Sequence, residues 1–265
     1  MTKKHKRILI CFSIILLILL IIYILIIRGN ILNKKFANNN IKVYENNKEK
    51  VFNIEKIVLC NSANAIDLSE TKNLSNLSAY QFTDIAIYIN NGEELTNKTT
   101  IKELYIDNIE IESESNKGKK SLTYKNILNF GLKETILEPK ETQNIYYKII
   151  NTNNENKNAD YNEPIFYTDF SNPITLQYLN YDVVTGYKMN ENNSVTFDGN
   201  ILKSAGLTVD DLKCKIKFKI HIINNEKEKY YCPISINIPL DDIFEGTTMK
   251  LKTTSGQKYE FFREE

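Results

Sequence analysis

The chain has 265 residues and a formal net charge of +1, with 34 Lys plus Arg against 33 Asp plus Glu. That balance excludes the global positive field that nucleic-acid binding calls for. Three of the basic residues are arginine, 35 residues are asparagine and none is tryptophan, a bias toward AT-rich codons that lowers the functional weight of any single lysine.

Ile8 to Ile27 is an apolar run whose only polar groups are Ser13 and the Tyr23 hydroxyl. As a helix rising about 1.5 Å per residue it matches the roughly 30 Å hydrocarbon core of a bilayer. A secretory signal core is shorter and is followed by a small-x-small cleavage site. Here Arg28, Gly29, Asn30 and Ile31 follow instead. The stretch therefore reads as an uncleaved signal anchor, residues 8–27, behind a cytoplasmic tail, residues 1–7. Lys3, Lys4, Lys6 and Arg7 abut the apolar core more densely than Arg28, Lys34, Lys35 and Lys42 on the other side. This favours a cytoplasmic N-terminus and an extracytoplasmic body at the cell membrane.

Residues 28–50 are polar and asparagine-rich and read as a stalk. Strand periodicity then dominates: Val51–Leu59, Ile85–Ile89 closed by the turn signal Asn90-Asn91-Gly92, Ile101–Glu112 and Thr142–Ile150. Asn151 to Glu163 holds six asparagines, which places a boundary there or a long loop within one sandwich. Beyond it come strands at Ile174–Val184 and Ser194–Phe197, then a brief helix from Asn200 to a Gly206 cap. A hairpin of Lys213–Ile223 with Lys229–Leu240 follows, and strands near Met249–Lys252 and Tyr259–Phe262 end the chain. The expected fold is mainly β: a transmembrane helix followed by one or two antiparallel Ig-like sandwiches, residues 51–150 and 164–265, with 151–163 as linker or loop.

Alternation from Lys213 to Ile222 sends Cys214, Ile216, Phe218, Ile220 and Ile222 to one face. Lys213, Lys215, Lys217, Lys219 and His221 go to the other. The lysine row is a candidate stripe for an anionic partner or a solvated face, with Glu110, Glu112 and Glu114 as candidate cross-strand partners. With the turn at Asn224–Glu228, paired positions sum to 452, so Cys232 faces Ile220 and lies too far from Cys214 for a disulfide. Cys60 bridged to Cys232 or Cys214, or three free thiols, remain as the alternatives.

Catalytic patterns are missing. His221 points away from Cys214 and Cys232, so these three cannot share a zinc ion. Ser-x-x-Lys occurs at Ser69 and Ser255 without its companion motifs, and no P-loop, Gly-x-Ser-x-Gly or Gly-x-Gly-x-x-Gly is present. Sortases share the chain order of His221, Cys232 and Arg263, but Tyr230-Tyr231-Cys232-Pro233-Ile234 is unlike their cysteine segment and parity separates His221 from Cys232. Neither a metal nor an organic cofactor is expected.

"TDIAIYINN" (Thr83–Asn91), "TIKELYIDNI" (Thr100–Ile109), "VTFDGNILKSAGL" (Val195–Leu207) and "CPISINIPL" (Cys232–Leu240) resemble uncharacterised membrane-anchored proteins of AT-rich, clostridia-like bacteria. "LEPKETQNIYYKI" is similar to the turn-then-strand segment of Ig-like bacterial surface domains. The resemblance implies an anchor and Ig-like extracytoplasmic domains and brings no activity with it. The expectation is a membrane-anchored binding or scaffolding protein of the cell envelope, whose partners besides the membrane are envelope proteins or anionic cell-wall polymers. The alternatives are an accessory or sensory subunit of a membrane complex and, more remotely, an envelope enzyme without a recognisable motif.

Overall fold

A computed structural model describes residues 51–71, 73–90, 96–125, 144–150, 164–168, 172–189, 199–241, 243–253 and 259–264. The expected anchor 8–27, the stalk, the loop 151–163 and the strand Ser194–Phe197 lie outside the described residues, as does Cys11. Among the described residues no helix is long and apolar enough to cross a membrane.

The described residues build two sheets. The first has the order β10-β1-β2-β7-β4 and comprises β1 (Asn53–Asp67), β2 (Leu77–Asn90), β4 (Lys119–Tyr124), β7 (Ile174–Tyr187) and β10 (Thr248–Thr253). The second has the order β11-β9-β8-β3-β5-β6 and comprises β3 (Ile101–Glu112), β5 (Ile145–Ile150), β6 (Ile165–Tyr167), β8 (Lys215–Asn224), β9 (Lys229–Asn237) and β11 (Phe262–Arg263). Among the described residues the pairings are antiparallel except β5 with β6, which is parallel. The protein is mainly β and its sheets pack as a sandwich, as the periodicity predicts. The strands before and after 151–163 interleave in both sheets, and residues from Lys50 to Glu265 form one compact unit. Strands from residues 51–150 and from 164–265 therefore pair within the same two sheets, the arrangement the single-sandwich alternative calls for.

Alternating Ile, Leu and Phe side chains drive this arrangement. Ile57 and Leu59 of β1, Ile85 and Ile87 of β2 and Leu176 of β7 meet Ile106, Phe218, Ile220, Ile234 and Ile236 of the opposite sheet in one cluster. Burying each such side chain stabilises the fold by about 1.5–3 kcal/mol. A second apolar cluster lies farther along the long strands. There Ala63, Leu77, Ala79 and Val183 pack against Ile201, Leu202, Leu207, Leu212 and Ile243. Ile201 and Leu202 belong to helix α1 (Gly199–Ser204), Leu212 to helix α2 (Val209–Leu212) and Ile243 to a 3-10 turn. Gly206, with φ +80°, ends the α1 region as expected of a left-handed C-cap. Thr208 and Asp211 close a capping box on α2, which explains part of the paired acid at 210–211.

A polar seam separates the two clusters on the inner face of the first sheet. Asn61 Nδ2 donates to the Pro239 carbonyl (2.5 Å), while Asn61 Oδ1 accepts from Thr83 Oγ1 (2.8 Å) and Gln81 Nε2 (3.2 Å). All three residues and Asn180 beside them are fully buried. Asn61, Thr83 and Gln81 bond one another, which lowers the cost of burying them. Gln81 Oε1 and both polar side-chain atoms of Asn180, by contrast, have no hydrogen-bond partner among the described residues.

Candidate binding face

The outer face of the six-stranded sheet carries a row of aromatic rings. Cross-strand register places Tyr146 of β5 beside Tyr105 of β3, Tyr105 beside His221 of β8, His221 beside Tyr231 of β9, and Tyr231 beside Phe262 of β11. Ring centroids follow at 5.4, 4.6, 6.1 and 5.8 Å, and Tyr105 and His221 are parallel to within 2°. Each pair contributes roughly 0.2–1 kcal/mol as a cross-strand contact. The row crosses five strands, and its β5 end is open: Tyr146 is 63 % exposed, the most exposed aromatic residue of the described core sheets.

His221 is the centre of the row and is 8 % exposed. Its Nε2 lies 2.9 Å from Asp107 Oδ1 and its Nδ1 lies 3.2 Å from Glu264 Oε1. Both ring nitrogens therefore face carboxylates, which fix the ring's position in the row. The Tyr105 hydroxyl is pushed up by burial and by the carboxylates of Glu264 and Asp107. Arg263 pairs with Glu228 (2.7 Å), whose carboxylate also accepts from the Tyr230 hydroxyl (2.7 Å) and Asn224 Nδ2 (3.0 Å). These bonds, the Tyr230 one foremost, hold Glu228 below the usual carboxylate range. Asp107 and Glu264 thus pin His221 within the row, whereas the Glu228 network has the inward parity of Tyr230 and lies at the core side of the same sheet.

The lysine row runs along the same face and is matched by acid. Lys213 pairs with Asp210 (2.5 Å), Lys215 stands opposite Glu112, and Lys217 stands opposite Glu110 and bonds Glu112. Lys219 stands opposite Asp107, with its ammonium 5.4 Å over the Tyr231 ring. A β-bulge makes this matching possible. The register slips by one residue between Asp107 and Glu110, where Asn108 takes φ +50°. Asp107 before the bulge and Glu110 and Glu112 after it therefore share the lysine face, although simple alternation would divide them.

The hairpin register is the expected one: Ile220 faces Cys232 and Lys215 faces Asn237. Cys214 and Cys232 both belong to the apolar core between the sheets. Cys60 faces the other way from Leu59 and lies on the outer surface of the first sheet, opposite Asp84. Cys60, Cys214 and Cys232 are all free thiols, so the proposed bridge from Cys60 is not formed. Strand parity explains why: the two candidate partners point into the core, away from Cys60. Burial, foremost, pushes all three thiols up. Among the described residues no group of three or more His, Cys, Asp or Glu side chains is arranged to hold a metal ion.

Two of the five rings are readable from local sequence, since the hairpin register alone sets Tyr231 beside His221. Tyr105, Tyr146 and Phe262 join it only through pairing between distant strands. No family model, curated protein or solved structure matches the chain.

Proposed function

We propose that this chain is a membrane-anchored binding protein, held by residues 8–27 with its Ig-like sandwich outside the cytoplasm. In this reading it engages a protein component of the cell envelope through the outer face of the six-stranded sheet. The observation that carries the reading is the five-ring row from Tyr146 to Phe262. Tyrosines flanking a histidine held by Asp107 and Glu264 supply contact area at low conformational cost, as in protein-recognition surfaces. The matched lysines favour a protein partner over an anionic polymer, because Asp107, Glu110 and Glu112 cancel the field that a polyanion would follow.

The topology is tested by protease shaving of intact cells: the body should be cleaved, and protection until lysis would overturn the anchor reading. The face is tested by crosslinking in membranes. Partners captured by the wild-type chain should be lost with Tyr146→Ser combined with Tyr231→Ser, while the circular dichroism spectrum is retained. Identical capture by a folded double variant would remove the row from the binding reading.

A further inference from the structure

The charge ladder and the ring row on the outer face of the six-stranded sheet share one symmetry. On β8, Lys215, Lys217 and Lys219 stand directly opposite Glu112, Glu110 and Asp107 of β3, and His221 stands opposite Tyr105. One strand farther out on each side, Tyr231 of β9 and Tyr146 of β5 sit level with that ring pair. Each of these positions on the β8 side thus has a complement at equal height on the β3 side, ammonium against carboxylate and ring against ring. Within one copy the complement is only partly used. Lys217 bonds Glu112, whereas Glu110 and Lys215 make no ion pair among the described residues, and Tyr146 is 63 % exposed.

From this symmetry we infer that the partner of this face is a second copy of the chain, docked face to face about a two-fold axis running along the strands midway between β3 and β8. The inference rests on the binding role proposed for the face. A half-turn about that axis exchanges β3 with β8 and β5 with β9 and leaves each residue at its own height. Lys215, Lys217 and Lys219 of the second copy then lie over Glu112, Glu110 and Asp107 of the first, and the reverse contacts form by symmetry. His221 of one copy lies over Tyr105 of the other, and Tyr231 over the exposed Tyr146. An isologous two-fold dimer needs a self-complementary patch of this kind, whereas a face of one charge sign would repel its own copy. The strands of the two faces run in the same direction, as in aligned sheet packing. Strands β3, β5, β8, β9 and β11 offer roughly 600 Å² of face, at about 4.8 Å between strands and 3.3 Å per residue. That is near the ~800 Å² each partner contributes to a standard stable interface. An axis along the strands also keeps the two starts of the body at Val51 level with each other, so two copies held by residues 8–27 can share one membrane.

The test is sedimentation of the full chain in density-matched detergent over a range of concentrations, combined with charge exchange at Lys217 and Glu110. The wild type is expected as a reversible dimer that weakens as salt rises. Lys217→Glu and Glu110→Lys should each raise the dimer dissociation constant by about 10-fold or more, because like charges then meet twice across the axis. An equimolar mixture of the two variants, one carrying a donor dye and the other an acceptor, should regain wild-type affinity by energy transfer, since each new charge then faces its opposite. Rescue by mixing separates the contact from any loss of folding. A chain that stays monomeric, a dimer indifferent to both substitutions, or a mixture no tighter than either variant alone overturns the inference. A monomeric chain whose membrane crosslinks are still lost with Tyr146→Ser combined with Tyr231→Ser overturns the second copy alone and leaves the binding face standing.

Discussion

Replacing Asn108 by valine tests how the bulge in β3 brings Asp107, Glu110 and Glu112 to the lysine face. Asn108 sits at φ +50°, where asparagine is tolerated and a β-branched residue is strongly disfavoured. The left-handed conformation costs an ordinary L-residue about 1–2 kcal/mol, and a branched side chain falls at the upper end. Asn108 is exposed and lies outside both apolar clusters, so little packing energy enters the comparison. Asn108→Val should therefore cost about 2 kcal/mol, a fall in Tm of roughly 4–8 °C for a body of this size. Asn108→Gly, which also accepts positive φ, should stay within about 0.5 kcal/mol of wild type. Tyrosine fluorescence and far-ultraviolet circular dichroism during urea unfolding supply the measurement, since the chain has 16 tyrosines and no tryptophan. The valine variant has a second expected consequence. If β3 loses its bulge, Glu110 and Glu112 leave the lysine face, and the Lys217–Glu112 pair is lost. Equal stability of the valine and glycine variants would refute the reasoning, because strain at positive φ is the largest effect that separates them and exceeds glycine's entropic cost.

Two further outcomes follow from the packing around Gly118 and Glu228. A methyl group on Gly118 would lie 2.1 Å from Asn180 Oδ1 and 2.7 Å from the Tyr181 carbonyl, at φ +74°. Gly118→Ala should thus lose roughly 2–5 kcal/mol from strain and overpacking together, and a loss below about 0.5 kcal/mol in urea unfolding would show that the loop yields freely. Glu228 has its pKa depressed by the Tyr230 hydroxyl, Asn224 and Arg263. Its contribution to stability is therefore whole above the unfolded glutamate pKa of about 4.3 and disappears as pH falls through the lower folded value. Stability measured from pH 6 downward should fall less steeply in this window for Glu228→Gln than for wild type, and parallel curves would contradict the assignment.

Local chemistry made much of the fold legible. The Lys213–Ile223 alternation and the Asn224–Glu228 turn specify the hairpin register to the residue, because both strands and their connection lie within one short stretch. β3 likewise coincides with Ile101–Glu112. By contrast, β1 runs to Asp67 and β2 begins at Leu77, well beyond the expected limits of Leu59 and Ile85. The polar residues that broke the pattern there, Asn61, Gln81 and Thr83, are inward-facing and buried. Their partners include Pro239, which lies 178 residues from Asn61 and could not be inferred locally.

By itself the sequence determined an apolar 20-residue segment of membrane-spanning length, a strand-rich body and the lack of a recognisable catalytic constellation, because composition and short-range periodicity carry those properties. Tertiary structure alone decided that strands on both sides of 151–163 share two sheets, that Cys60 faces away from the core cysteines, and that five rings form one row. The same holds for the bulge that brings Asp107, Glu110 and Glu112 to the lysines. Each of these depends on which distant strands pair and in what register. That choice is set by burial of the whole apolar set at once, and a single strand's sequence does not contain it.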